Sequence, residues 1–303
     1  MSQKDDPDST QLRQLQTEAA EQDRAMREMG EREDAHERLI TRLRREAAVR
    51  EEELVSLRAR FEVAEHELED LRAIRDALTP ADLPERPGLD LAAAFLPAAA
   101  EQVSGDFYLV AEGPRESTVL VVGDVMGHGL QAGRRAAFVR TAFAATAPFS
   151  DDPCQLLSWA NTALVERAGT SSEFVTAACV TYLPGERLLR WAYAGHPPAL
   201  WLEDGRELAA PEQGTPLGVR ADPGSAEGSL RSEGPTGILL YTDGLTEARR
   251  DDEMFGLDGV SAALEELNDP TPSDAIAILR ARVAAFAYGT LSDDLCMLAA
   301  RIN

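Results

Sequence analysis

Lysine, cysteine and positive charge are all scarce in this chain of 303 residues, and each scarcity excludes something. Lys4 is the only lysine; every other basic residue is arginine, which fits a GC-rich coding sequence better than any chemical demand. Cys154, Cys179 and Cys296 lie far apart in apolar surroundings, with no Cys-x-x-Cys or Cys/His cluster. An odd number without a framework points to a reducing compartment. Against 53 Asp+Glu stand 30 Lys+Arg, a formal net charge of −23. That charge repels phosphate backbones and anionic lipid surfaces, and no concentrated basic face shows in the sequence, so no nucleic acid and no membrane are expected as partners. The opening MSQKDDPDST carries no apolar signal core, and no run of about 18 uncharged apolar residues follows. A cytoplasmic protein is expected.

Glycine and proline are missing where the first segment needs them missing. Gly30 is the only glycine before Gly88, and Pro7 the only proline before Pro80, so nothing but a weak point at Gly30 interrupts a long helix. One heptad register runs from Leu12 to Leu78. Its a/d positions are Leu12, Leu15, Ala19, Gln22, Met26, Met29, Glu33, His36, Ile40, Leu43, Ala47, Arg50, Leu54, Leu57, Phe61, Ala64, Leu68, Leu71, Arg75 and Leu78, fifteen of the twenty apolar. Such a stripe cannot bury itself alone, so residues 1–79 are read as a coiled coil, most simply a parallel homodimer about 100 Å long. Gln22, Glu33, His36, Arg50 and Arg75 would weaken the seam locally and fix its register. His36 and His66 read as seam or surface residues rather than ligands.

Thr79-Pro80 ends the helix, and Pro84 and Pro87-Gly88 make 80–88 a short, stiff linker. Before Pro80 stand 14 basic and 21 acidic residues, net −7; the remainder carries 16 and 32, net −16. Within 89–303 the hydrophobic period changes. Leu89–Phe95, Asp106–Ala111, Thr118–Val122, Phe174–Leu183, Leu188–Tyr193, Ala199–Leu202, Gly237–Tyr241 and Leu295–Ile302 read as strands. Helices are expected at Leu130–Ala147, at Pro153–Ala168 with Asp152 as N-cap and Gly169 beyond its end, at Asp258–Leu267 and at Ser273–Tyr288. Hairpins interleaved with pairs of helices suggest sheets covered by helices, not a doubly wound βαβ fold.

The acidic residues that matter fall at strand ends. Gly105-Asp106 enters a strand, Gly123-Asp124 leaves one, Asp243-Gly244 leaves another, and Asp293-Asp294 precede the last. Any one Asp-Gly pair is a turn signal. Four such sites, each tied to a strand of one domain, suit a hard cation, because carboxylates gathered together need positive charge between them. No D-x-[DN]-x-[DN]-G-x5-E loop and no G-x-S-x-G occurs, which excludes an EF-hand and a common serine-hydrolase arrangement.

These residues carry a resemblance. Ser104-Gly105-Asp106-Phe107-Tyr108, Val122 to Gly129 (VGDVMGHG), Tyr193 to Leu200 (YAGHPPAL), Tyr241 to Ala248 (YTDGLTEA) and Ser292-Asp293-Asp294 resemble, in order, the motif series of the SpoIIE/RsbU-type bacterial serine/threonine phosphatases of the metal-dependent PPM superfamily. The resemblance implies an α+β fold, an αββα four-layer sandwich over 89–303, with two divalent cations, manganese or magnesium, at one end. By position it implies that Asp124 bridges both cations with the Val125 carbonyl as a further ligand. Asp243 and Asp293 would hold the first cation, with Asp294 the alternative to Asp293, and Asp106 would stand on the other side. Water activated between the cations would attack the phosphorus of a phosphoserine or phosphothreonine. The four carboxylates are therefore expected to converge in space.

Further roles remain open at this stage. His128 could serve as an acid or stand outside the chemistry, and His196 reads as a turn-packing residue. Arg134 and Arg135 read as solvated helix charges or as phosphate or substrate contacts, and Thr176, Thr242 and Thr246 as supports for the ligands. The sequence departs from the family pattern at Leu109, where an aspartate is common, and at Cys296, where a threonine is usual. The resemblance implies a phosphorylated STAS-domain anti-sigma-factor antagonist as substrate. The alternative from another class is a catalytically weak scaffold that binds a phosphoprotein through the domain and a partner through the rod.

Overall fold

The computed structural model describes residues 7–78, 83–96, 98, 104–127, 129–168, 174–289, 291 and 293–303. Within the N-terminal helix, side chains are described at 24, 26, 27, 29, 30, 32, 36–66, 68 and 69. Thr79-Pro80 as helix terminator, His128, Gly169 and Ser292 lie outside the described residues. The chain divides into two compact units, Met1–Glu67 and Leu68–Asn303.

Helix α1 runs over Pro7–Leu78, 72 residues without a break at Gly30. Of its described apolar seam residues, Met26, Met29, Ile40, Leu43, Leu54, Leu57 and Phe61 are exposed, Phe61 by 62%, and Leu68 is half-buried.

The larger unit is built from β1 (Leu89–Leu96), β2 (Phe107–Glu112), β3 (Thr118–Val125), α2 (Gly129–Thr146), α3 (Pro153–Ala168), β4 (Val175–Leu183), β5 (Leu188–Ala194), β6 (Leu200–Trp201), β7 (Gly228–Arg231), β8 (Thr236–Tyr241), β9 (Arg249–Arg250), β10 (Glu253–Met254), α4 (Gly256–Leu264), α5 (Pro272–Phe286) and β11 (Leu295–Ile302). One sheet has the order β1-β11-β8-β6, the other β2-β3-β4-β5-β7, and β9 with β10 forms a small separate ribbon. All ladders between these strands are antiparallel.

Side-chain alternation explains the layering. In β3, Leu120 and Val122 join the core between the sheets, while Val119 and Val121 pack under Val139 and Phe143 of α2 and Leu156 of α3. In β11, Cys296, Leu298 and Ala300 face the other sheet, while Leu295, Met297 and Ala299 pack under Leu264 of α4 and Leu279 and Val283 of α5. Strands buried on both faces read as continuous apolar runs, which is why they were legible. Helix, sheet, sheet, helix is the four-layer order expected. Asp152 caps α3 as predicted, its Oδ1 accepting the amides of Cys154 at 2.8 Å and Gln155 at 3.1 Å.

Two expectations need correction. β3 does not stop at Val122: Gly123 and Asp124 stay in the ladder opposite Ala177 and Thr176. Glycine is required there because a Cβ would lie 2.5 Å from Cζ of Phe107, whose ring covers the strand. The strands β7, β9 and β10 were missed. β7 is an exposed edge whose one buried residue, Gly228, sits against the Trp191 indole, so no apolar pattern announces it.

Candidate metal centre

Three of the strand ends singled out in the sequence are linked through one threonine. Thr242 follows β8, and its hydroxyl donates to Oδ2 of Asp106 at 2.7 Å while accepting the amide of Cys296 at 2.9 Å. The Thr242 amide in turn donates to the Cys296 carbonyl at 3.0 Å. Asp106 is thus held from a residue 136 positions away, and its own amide donates to Ser104 Oγ at 2.8 Å. Cys296 supplies only backbone to this contact; its side chain is fully buried between the sheets.

His196 ties a second pair of strand ends. Its Nε2 donates to the Tyr241 carbonyl at 2.9 Å, at the end of β8, so Nδ1 accepts from the Thr176 hydroxyl at 2.8 Å. Thr176 is the ladder partner of Asp124. Burial pushes the imidazole down to about 4, so it is neutral and structural. The expected packing role of His196 therefore extends to fixing the strand that carries Asp124 against the strand that leads to Asp243.

The carboxylates feel one another. Burial, then the charge of Asp243, raises Asp124 to about 6, although a hydrogen bond with Asp106 opposes the rise. Burial and then Asp124 push Asp106 well above the usual carboxylate range. Asp243, at the start of a tight turn, is raised by burial, by Asp293 and by Glu247. Burial also raises Asp294, whose Oδ1 accepts the amide of Ala98 at 2.7 Å. Asp293 accepts the amide of Asp294 at 2.8 Å.

Asp106, Asp124, Asp243, Asp293 and Asp294 therefore lie within electrostatic reach of one another. They do not form a ready cage: among the described residues, no three His, Cys, Asp or Glu side chains stand as a metal-holding group. Asp106 and Asp294 are turned to protein donors instead. The donor set nevertheless fits a hard divalent cation, being all oxygen, from carboxylates and one backbone carbonyl. Gly105 also leaves open a space where a Cβ would lie 2.6 Å from the Val125 carbonyl oxygen and 3.3 Å from Asp124 Oδ1, so two of the expected ligand atoms face the same space.

A family model described as Stage II sporulation protein E (SpoIIE) matches residues 114–303. The chain belongs to the SpoIIE family. It is 26% identical over 195 residues to the phosphoserine phosphatase RsbU of Bacillus subtilis, covering 64% of this chain and 57% of that protein. The chain thus spans little more than half of that curated relative. Among solved structures, the RsbU and RsbW domains of a Mycobacterium tuberculosis protein match with TM-score 0.58 and 25% identity, over 74% of this chain and 61% of that one. The SiaA-PP2C domain of Pseudomonas aeruginosa matches with TM-score 0.65 and 22% identity, over 81% of this chain and 99% of that one, a likeness of fold.

Two features of this SpoIIE-family domain were not assigned from sequence. Glu247, within the YTDGLTEA motif, adds charge at Asp243. Ser104 bonds both the amide of Asp106 and the side chain of Asp294. Serine two residues before the aspartate is the signal that could have found it. Leu109, where the family often has aspartate, is buried among the residues beneath α2 and α3.

Proposed function

We propose that residues 89–303 form a metal-dependent serine/threonine phosphatase that hydrolyses phosphoserine or phosphothreonine in a protein. The observation that carries this reading is the set of mutually repelling carboxylates from separate strand ends, held by Thr242 and His196, on a fold shared with phosphatases. The pairings support the family's distribution of ligands. Beyond burial, the charge of Asp293 raises Asp243, which suits a shared first cation, while Asp124 feels both Asp106 and Asp243 and suits the bridging place. Asp294 is committed to Ala98, which favours Asp293 as ligand and Asp294 as brace.

Bound manganese or magnesium, two ions by family resemblance, would supply the charge that lets water attack at neutral pH and offsets the phosphoryl oxygens. The chain's own part is orientation. Asp106 stands immediately before β2 and Asp124 lies in the neighbouring antiparallel strand β3, and α2 begins four residues after Val125 with its N-terminal amides available to an anion. Water attacks phosphorus, the bond to the serine oxygen breaks, and that oxygen takes a proton. No covalent phosphoenzyme is needed.

The relative's name, phosphoserine phosphatase, supports a phosphoserine protein as substrate; by the motif resemblance that substrate is a phosphorylated STAS-domain anti-sigma-factor antagonist in a cytoplasmic partner-switching pathway. No helix among the described residues is long and apolar enough to cross a membrane. The exposed seam of α1 supports a homodimeric coiled coil through which activity is regulated. The decisive assay is manganese-dependent phosphate release from a phosphoserine protein, with Asp124→Asn and Asp243→Asn as controls. Release that survives both substitutions refutes the assignment; absent release with phosphoprotein binding intact favours the scaffold reading.

A further inference from the structure

The sequence shows no concentrated basic face, yet folding makes one. Gln131, Arg134, Arg135 and Phe138 share one side of α2, spaced i, i+3, i+4 and i+7, and with Leu164 and Arg167 of α3 they line a notch of about 280 Å³. Three of its six lining residues are arginines and none is acidic, in a chain whose net charge is −23. Other arginines of the same unit are spent on internal partners. Arg190 meets Asp151 and Glu227, Arg282 meets Glu266, Arg301 meets Asp269, and Arg140 donates to the Tyr108 carbonyl. Arg134 and Arg167 have no carboxylate partner among the described residues.

Resting on the phosphatase reading, we propose that this notch docks an acidic segment flanking the phosphorylated residue of the protein substrate. Three features fit that occupant. The Arg167 guanidinium lies over the Phe138 ring, 4.3 Å from its centroid, so it is held in place and already covers a ring face that a nucleobase would need. The lining face of α2 runs over two turns, about 10 Å from Gln131 to Phe138, with Arg134 and Arg135 at its middle and Arg167 added from α3, and three guanidinium groups from two helices suit more than one carboxylate better than one small anion. Position also fits: Gln131 follows Asp124 by seven residues, so the two lie no more than about 25 Å apart even along a fully extended chain. A substrate segment of similar length bridges that span. An acidic partner approaching a surface of like charge needs such a local positive field to be held in one orientation.

The test uses the full chain with EDTA present and a fluorescein-labelled 13-residue peptide bearing a central phosphoserine flanked by glutamates, against its glutamine-flanked counterpart. Fluorescence anisotropy should show at least tenfold tighter binding of the glutamate peptide. Arg134→Gln with Arg167→Gln should reduce that preference below twofold, Arg134→Lys with Arg167→Lys should restore part of it, and Arg206→Gln, on a distant turn, should leave it intact. Equal affinity of the wild-type chain for both peptides, or a preference that survives the double glutamine variant, overturns the proposal. Displacement of both peptides alike by millimolar inorganic phosphate also overturns it, marking a simple phosphate site. Binding is read without turnover, so a failure of manganese-dependent release in the parallel assay strikes the phosphatase reading alone.

Discussion

Alternate residues of β11 are buried on both of its faces, Leu298 and Met297 completely, whereas along α1 the seam residues Met26, Leu54 and Phe61 are each more than half exposed. The layered unit closes its apolar faces within one chain, helix over sheet over sheet over helix. A single helix has nothing behind its stripe, so the same physical demand can be met there only by another helix. Chemistry and association should therefore be separable, the first resident in a unit that completes itself and the second in one that does not.

The largest expected break in that separation comes from the carboxylates. Asp124→Asn or Asp243→Asn should lower manganese-dependent phosphate release about a thousandfold, roughly 4 kcal/mol of transition-state stabilisation, while sedimentation velocity shows unchanged self-association. A loss below tenfold would break the assignment. Next, Leu43→Asp with Leu57→Asp should raise the dissociation constant of the rod at least about a hundredfold, given about 1.5–3 kcal/mol for each buried leucine. The thermal midpoint of the layered unit should stay put; an unchanged sedimentation coefficient would remove the coiled-coil reading.

Two smaller effects sharpen the picture inside the layered unit. His196 has its pKa held near 4, below the 6.5 of an ordinary imidazole, so the stability it brings is complete above about pH 6.5 and is lost as pH falls toward 4. Urea unfolding across that window should show up to about 3 kcal/mol of change that His196→Asn lacks; a variant with the same pH profile would contradict the neutral, buried imidazole. Finally, Thr242→Val leaves Asp106 and the Cys296 amide without their shared hydroxyl and should cost about 1–3 kcal/mol of stability. Calorimetry should also show weaker manganese binding, and unchanged affinity would mean that Thr242 does not position Asp106.

How much of this could be read beforehand follows from the range of each interaction. Strands buried on both faces announce themselves as apolar runs, and aspartates beside glycines at their ends mark the site. Edge pieces such as β7 carry no such pattern, and Gly228 is explained only by the Trp191 ring above it. The brace from Asp294 to the Ala98 amide spans 196 positions, and the Thr242 link to Asp106 spans 136. No local spacing encodes either. Leu109 marks a family departure in sequence, but its burial beneath α2 and α3 had to be seen.

Among the described residues, β1 has β11 as its only neighbour in the sheet, and Leu96 pairs with Leu295. Roughly 200 residues therefore separate the synthesis of the first strand from that of its partner. At about 5–20 residues per second on the ribosome, that interval lasts on the order of 10–40 s. During it the segment LDLAAAFL presents an unsatisfied edge to whatever else is nearby. The charge of Asp90 in that segment and the prolines at 84 and 87 ahead of it then act as guards for a nascent chain, discouraging wrong pairing before the right strand exists.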